Sequence, residues 1–123
     1  MDVYSAAKLG DIPALIKHVR GGGSFNTPNR SGMTPLIIAV ENGQLEAVKL
    51  LLTEGVNINV KDRLGQTALM LAALRNDIES GKLLLKHRAN LNTIAANGMT
   101  ALGFAKSKER VEMTKLLTLA GAR

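Results

Sequence analysis

The sequence predicts an all-α solenoid, in which short pairs of helices repeat along the chain and stack on one another. Three observations lead to this prediction. The chain of 123 residues repeats itself with a period of 33 residues. It is 46% hydrophobic but only 2% aromatic, so the core must be built from aliphatic side chains, which suits layers of stacked helices. Its apolar runs are rich in Ala, Leu and Met, which favours helix over strand.

The period appears as several interlocking series of matching residues. One series alone could arise by chance, but several at the same spacing indicate a true repeat. The clearest series are Ala6, Ala39, Ala72 and Ala105; Gly32, Gly65 and Gly98; Thr34, Thr67 and Thr100; and Leu36, Leu69 and Leu102. We therefore divide the predicted single domain into four units, which cover residues 1–28, 29–61, 62–94 and 95–123.

The apolar run at residues 36–40, LIIAV, would predict a buried strand if it stood alone. Thr34 and Pro35 come directly before it, and that pair is typical of a helix start, since the Thr hydroxyl caps the first turn and Pro needs no partner at N1. The matching runs TALMLAAL and TALGFAK contain good helix formers. The repeat therefore predicts a short first helix here. A longer second helix, QLEAVKLLLTE, ends at Gly55, and an extended hairpin, VNINVKDRLG, follows it.

This order of turn, helix, helix and hairpin resembles the ankyrin repeat, whose core reads G-x-T-P-L-H-x-A-A and then G-h-x-x-h-v-x-x-L-L-x-x-G-A. The matching stretches are GMTPLIIAV, GQTALMLAA and GMTALGFAK, followed by runs such as LLTEGVNIN. The resemblance covers essentially the whole chain. It implies an all-α ankyrin-repeat solenoid of stacked helix-turn-helix units joined by short β-hairpin loops.

The sequence departs from the family pattern at a few positions. Ile37, Met70 and Gly103 replace the motif His, so its hydrogen bonds between turns are expected to be missing. Gly81 stands at the place of Val48, so we expect a packing gap and a weak second helix in the third unit. Arg88 replaces the helix-ending Gly55, so the turn there is expected to be strained or differently built.

The two end units carry polar residues where the inner units are apolar. Lys17 and His18 stand at the places of two leucines, Lys106 replaces an alanine, and Thr114 and Thr118 replace a valine and a leucine. Polar outer faces are what terminal repeats need in water. We therefore expect the first and last units to be caps, and the chain to form a complete small domain.

The sequence contains no motif that predicts catalysis, a cofactor or a metal site. It has no cysteine, which excludes disulfides and thiolate chemistry, and it lacks phosphate-loop, dinucleotide and zinc-protease motifs. His18 and His87 both lie near the ends of second helices, so we interpret them as solvated surface residues. The run GGGSF at residues 21–25 follows a helix instead of opening one, so it is interpreted as a helix stop and not a phosphate site.

The family resemblance implies a concave recognition face, built from residues that flank the Gly-x-Thr turns and from the exposed ends of the first helices. We call this set of residues the concave face. Its members are Lys8 in the first unit; Arg30, Ser31, Met33, Glu41 and Asn42 in the second; Lys61 from the incoming hairpin with Arg63, Leu64, Gln66, Leu74 and Arg75 in the third; and Ile94, Asn97, Met99, Ser107 and Lys108 in the fourth. Met33, Leu64, Leu74 and Met99 are apolar where the fold does not demand it, and Arg and Lys surround them. This mixture suits a binding interface.

The sequence thus predicts a non-catalytic protein-binding module whose concave face docks an acidic protein surface, with masking or inhibition of that partner as its mode of action. The net charge of +6 favours an acidic partner. The alternative is nucleic-acid or polyphosphate binding. It is less favoured because the sequence lacks aromatic side chains on which bases could stack and has no dense basic run beyond KSKER. No cofactor, membrane or small-molecule substrate is expected. The N-terminus lacks the apolar core of a signal peptide, so we expect a cytoplasmic protein.

Overall fold

The computed structural model describes residues 2–123 and contains eight helices, which confirms the all-α prediction. Within that range no β-strand is formed. The apolar run LIIAV lies inside the third helix, so the helical interpretation of that segment is confirmed. The helices are α1 (Val3–Leu9), α2 (Ile12–Arg20), α3 (Pro35–Glu41), α4 (Leu45–Thr53), α5 (Ala68–Arg75), α6 (Ile78–Lys86), α7 (Ala101–Ser107) and α8 (Val111–Leu119).

Side-chain oxygens cap the N-termini of most of these helices. The hydroxyls of Thr34, Thr67 and Thr100 each accept a hydrogen bond from the backbone N–H three residues later, at 3.4, 3.4 and 3.1 Å. Asp2 caps α1 in the same way, and the N–H of Ser5, 2.7 Å from its carboxylate, lowers the pKa of Asp2. The predicted capping role of the repeated threonines is therefore confirmed.

The helices form two layers with the apolar core between them. The first layer holds α1, α3, α5 and α7, and the second holds α2, α4, α6 and α8, with each helix packed on the next in its layer. The repeated alanines are almost fully buried, which lets neighbouring first helices approach closely. Within residues 2–123 no helix has the length and apolar character that crossing a membrane would require.

The loops before the first helices are hairpin-shaped turns. Two backbone bonds close each loop, as from the N–H of Asp62 to Gln66 O and from the N–H of Gly65 to Asp62 O, both at 3.0 Å. One further bond joins neighbouring loops, as from the N–H of Arg63 to Ser31 O at 3.2 Å. Asparagine side chains add links between units, since the Asn26 carboxamide accepts from the N–H of Asn57 at 2.7 Å. The expected extended hairpins are therefore present in shape, but their few ladder bonds do not make β-strands.

The prediction of a packing gap at Gly81 is wrong. A Cβ atom placed on this buried glycine would lie 3.2 Å from Met113 Cε and 3.4 Å from Leu116 Cδ2, both in α8. The space is filled because Met113 is a long side chain at the place where the inner units carry Ala47 and Ser80. The helix expected to be weak, α6, runs unbroken through Gly81.

The strained turn expected at Arg88 is confirmed. Arg88 adopts φ of +66°, and Gly55, at the same place in the preceding unit, adopts +71°. This left-handed conformation costs an L-residue about 1–2 kcal/mol, whereas Gly adopts it without steric strain but loses more backbone entropy on folding.

Replacing Arg88 with Gly should therefore stabilise the protein. The side chain of Arg88 is exposed, so little packing is lost, and we expect a gain of about 0.5–1 kcal/mol in the free energy of unfolding. Urea denaturation followed by circular dichroism measures this change. Arg88→Ala is the control, because alanine also removes the side chain but keeps the strain. A Gly variant no more stable than the Ala variant would contradict the assignment of strain.

Candidate functional site

Two open grooves run along the surface formed by the first helices and the loops. The first groove contains the concave-face residues Lys8, Met33, Glu41, Asn42 and Arg75. The second contains the concave-face residues Ser31, Met33, Glu41, Arg63, Leu64 and Gln66. The grooves adjoin, because Met33 and Glu41 line both. The structure thus brings together most of the predicted residues of the first three units, whereas Arg30, Lys61 and Leu74 line neither groove.

The repeat explains why these side chains converge. Lys8, Glu41 and Leu74 occupy the same place in the last turns of α1, α3 and α5, so stacking sets the ends of these helices side by side. Asn42 follows α3 and donates from its side-chain amide to Ile38 O at 2.8 Å, which holds it in the turn. Arg75 ends α5, and its guanidinium lies against the turn at Gly43 in the preceding unit, 3.1 Å from the point a Cβ would occupy.

The cations of the concave face form no ion pair within residues 2–123. Among residues 2–123 the ion pairs are Lys49–Glu46 at 3.3 Å and Lys82–Glu79 at 3.9 Å, and both lie on second helices. The concave-face cations therefore have no carboxylate within 4.0 Å in the part of the chain that the structure describes. Lys61 instead donates to Ile94 O at 3.2 Å. Glu41 lines both grooves and Asp62 lines the second, but an anionic group arriving at this face would break no ion pair among the described residues.

The apolar members of the concave face divide into two groups. Leu64 is 62% exposed and Ile94 is 56% exposed, so the fold does not require them to be apolar. Met33, Leu74 and Met99 are half-buried and pack against the core. For these three residues the expectation that the fold does not demand an apolar side chain is wrong, because each covers the edge of the core between neighbouring helices.

The remaining predicted residues lie outside both grooves. Arg30 and Lys61 are exposed on loops. In the fourth unit, Asn97 accepts from the N–H of Met99 at 3.1 Å, and Ser107 donates to Phe104 O at 2.9 Å. These side chains stabilise their own turn and helix end. Ile94, Met99 and Lys108 likewise line neither groove, so the fourth unit contributes nothing to either one.

Sequence reasoning missed several groove residues. Tyr4, Ser5, Asn29 and Ile38 line the first groove, and Asp62 and Leu71 line the second. Ser5, Ile38 and Leu71 are separated by the repeat period, so their common place on the first helices was a signal available in the sequence. Tyr4 was harder to assign, because its hydroxyl is fixed by a bond to Thr27 O at 2.8 Å that no motif indicates.

The two histidines behave differently. His87 is exposed. His18 is half-buried, with Nε2 2.9 Å from Ser24 O and its ring stacked on Phe25 at a centroid distance of 5.6 Å. The interpretation of His18 as a solvated residue is wrong, because its ring packs under the glycine-rich turn after α2. In the described residues no His, Asp and Glu side chains gather closely enough to hold a metal ion.

Comparison with known proteins gives one family. One family model, described as ankyrin repeats in many copies, matches residues 18–69, and another, described as ankyrin repeats in three copies, matches residues 55–123. A curated relative, the ankyrin repeat domain-containing protein oryK of Aspergillus oryzae, is 44% identical over 55 residues. That match covers 45% of this chain but only 9% of the relative.

Proposed function

The chain belongs to the ankyrin repeat family, and on that premise we propose that it is a non-catalytic module that binds another protein through its concave face. Ankyrin repeats generally mediate protein–protein interactions. A rigid stack presents its side chains on an ordered platform, so that little conformational entropy is lost on binding. Both grooves are open, which suits an extended protein surface.

The partner in this proposal presents an acidic surface. The observation that carries this inference is that Arg63 and Arg75, which line the two grooves, form no ion pair within residues 2–123. Charge complementarity raises the association rate and selects against basic partners. Exposed Leu64 beside Arg63 supplies apolar area for the centre of such an interface. A partner covered in this way would be masked from its other ligands, which makes inhibition the mode of action we propose.

The double reversal Arg63→Glu/Arg75→Glu tests this proposal. The partner is first isolated by affinity capture from cells that express the protein and is identified by mass spectrometry. We expect the double variant to bind the purified partner about tenfold more weakly or worse, because each reversal replaces an attraction with a repulsion. Both side chains are exposed, so the melting temperature should not change. Titration calorimetry measures the affinity.

Lys86→Glu/Lys115→Glu is the matched control. It changes the net charge by the same amount on exposed positions of the second helices, so a loss of affinity specific to the first variant locates the site on the concave face. Equal losses in both variants would contradict the proposal. So would tight binding to any labelled oligonucleotide that falls steeply with salt and survives the Arg63 and Arg75 reversal, since that is how phosphate-driven binding behaves.

A further inference from the structure

The outer surface of α2 departs from the pattern that the other second helices share. In α4, α6 and α8 the second residue is Glu and the fifth is Lys, and these residues pair across one turn in α4 and α6. At the same places α2 carries Pro13 and Ile16. A pair of solvated charges is thus replaced by two apolar side chains in one unit only.

The replacement creates an apolar groove with a basic edge. We call it the α2 groove, and it is lined by Ile12, Pro13, Ile16, Lys17, Arg20 and Gly21. Ile12 packs against the core, but Ile16 is half-buried without doing so, so the core does not require an isoleucine there. Lys17 is exposed at the place where α4, α6 and α8 carry a half-buried leucine. Both the apolar and the charged positions of α2 therefore differ from those of the other second helices.

The cations at the edge of the α2 groove have no internal partner in the described chain. Neither Lys17 nor Arg20 forms an ion pair within residues 2–123. The nearest acidic residue along the chain, Asp11, accepts a hydrogen bond from the N–H of Ala14 at 3.1 Å and caps the helix. The groove thus offers apolar contact and uncompensated positive charge within two helical turns.

We propose that the α2 groove is a second protein-docking surface, which binds an amphipathic acidic segment of a partner protein. The segment places apolar side chains over Pro13 and Ile16 and carboxylates against Lys17 and Arg20, in the way that amphipathic helices enter grooves. A second copy of this chain fits poorly, because its net charge is +6 and the two basic edges would repel each other. An anionic membrane fits poorly as well, because the apolar residues are few, the two isoleucines are half-buried, and no aromatic anchor is present in the groove.

A designed peptide tests this inference. The probe is a fluorescent helix-forming peptide of about 16 residues, with leucines at helical spacing and glutamates beside them. The comparison peptide has lysine in place of every glutamate. We expect the acidic peptide to bind the wild-type protein in anisotropy titrations and the lysine peptide not to bind. The amide NMR shifts caused by the acidic peptide should cluster in residues 12–21.

The variant Pro13→Glu/Ile16→Lys gives α2 the Glu and Lys that α4 and α6 carry at these places, and it should weaken binding of the acidic peptide about tenfold or more. Glu in the first turn of a helix is favourable, so the variant should fold. Lys17→Glu/Arg20→Glu removes the charge but keeps the apolar groove, and it should weaken binding similarly. Lys86→Glu/Lys115→Glu changes the net charge by the same amount outside the α2 groove, and this variant should bind the peptide as the wild type does.

Three results would overturn the inference. The first is that the acidic peptide does not bind the wild-type protein, or that it binds both α2 variants as tightly as the wild type. The second is binding to vesicles that contain phosphatidylserine without binding to the peptide, which would identify a membrane as the occupant. The third is self-association in sedimentation experiments that Pro13→Glu/Ile16→Lys abolishes, which would identify a second copy of the chain.

Discussion

Gly65→Ala should lower the free energy of unfolding by about 3 kcal/mol, of which about 1–2 kcal/mol comes from left-handed backbone strain and the rest from steric overlap. Gly65 adopts φ of +73°. A Cβ atom there would lie 2.7 Å from the backbone N of Ala96, and backbone cannot swing aside as a flexible side chain can. Moving Ala96 would also disturb its hydrogen bond to Leu64 O, which joins neighbouring loops at 3.0 Å.

Gly98→Ala is the matched control for this prediction. Gly98 stands at the same place one unit later with φ of +83°, but within residues 2–123 no atom beyond Gly98 and its two chain neighbours lies within 4 Å of the point that a Cβ would occupy. Only the backbone strain applies, so the cost should be about 1–2 kcal/mol. Urea denaturation of the two variants separates the backbone strain from the steric overlap. Similar losses of unfolding free energy at Gly65 and Gly98 would show that contact between the loops adds nothing to the cost.

Gly81→Val should lower the free energy of unfolding by about 1–3 kcal/mol, since it forces extra methyl groups into a filled space. Comparison with Val48, which stands at the same place in the preceding unit, would by itself predict that the substitution raises the free energy of unfolding. Met113 and Leu116 of α8 occupy the volume that Val48 fills in its own unit, and Met113 is itself fully buried. Thermal unfolding should show a melting temperature lower by several degrees.

Gly81→Ala provides the graded comparison. Its single methyl would meet the flexible end of Met113 at 3.2 Å, and alanine gains about 1 kcal/mol over glycine in helix propensity. We therefore expect the alanine variant to melt no lower than the wild type. If the valine variant melted at a higher temperature than both the alanine variant and the wild type, α8 would have moved to accommodate the valine side chain. That result would contradict the conclusion that the space beside Gly81 is filled.

The fold was predictable because local chemistry and the repeat agree. Thr34 and Pro35 mark a helix start in the sequence, and the structure places the cap there. The packing at Gly81 was not predictable in the same way, since repeat comparison treats equivalent positions as having equivalent neighbours. Gly81 and Val48 face different helices, and only the structure shows that the side chain of Met113 fills the space beside Gly81.

The candidate site was predictable in part for a related reason. Positions such as Glu41 and Arg63 follow from the repeat, because each lies beside a helix end or a Gly-x-Thr turn. The contact of Arg75 with the turn at Gly43 depends on the conformation of a long side chain, which the repeat does not determine. Lys8 of α1 was predicted, but Tyr4 and Ser5 were missed because the first unit contains no Gly-x-Thr turn to indicate its exposed face.

The bonds between loops have a mechanical consequence. The links from Asn57 to Asn26 and from Asn90 to Asn59 each join one unit to the next, as do those from Arg63 to Ser31 and from Ala96 to Leu64. Tension applied to the two ends of the chain would therefore pass through these junctions in series. Under such tension the units would separate one after another, because the weakest junction would break first while the other junctions stay intact.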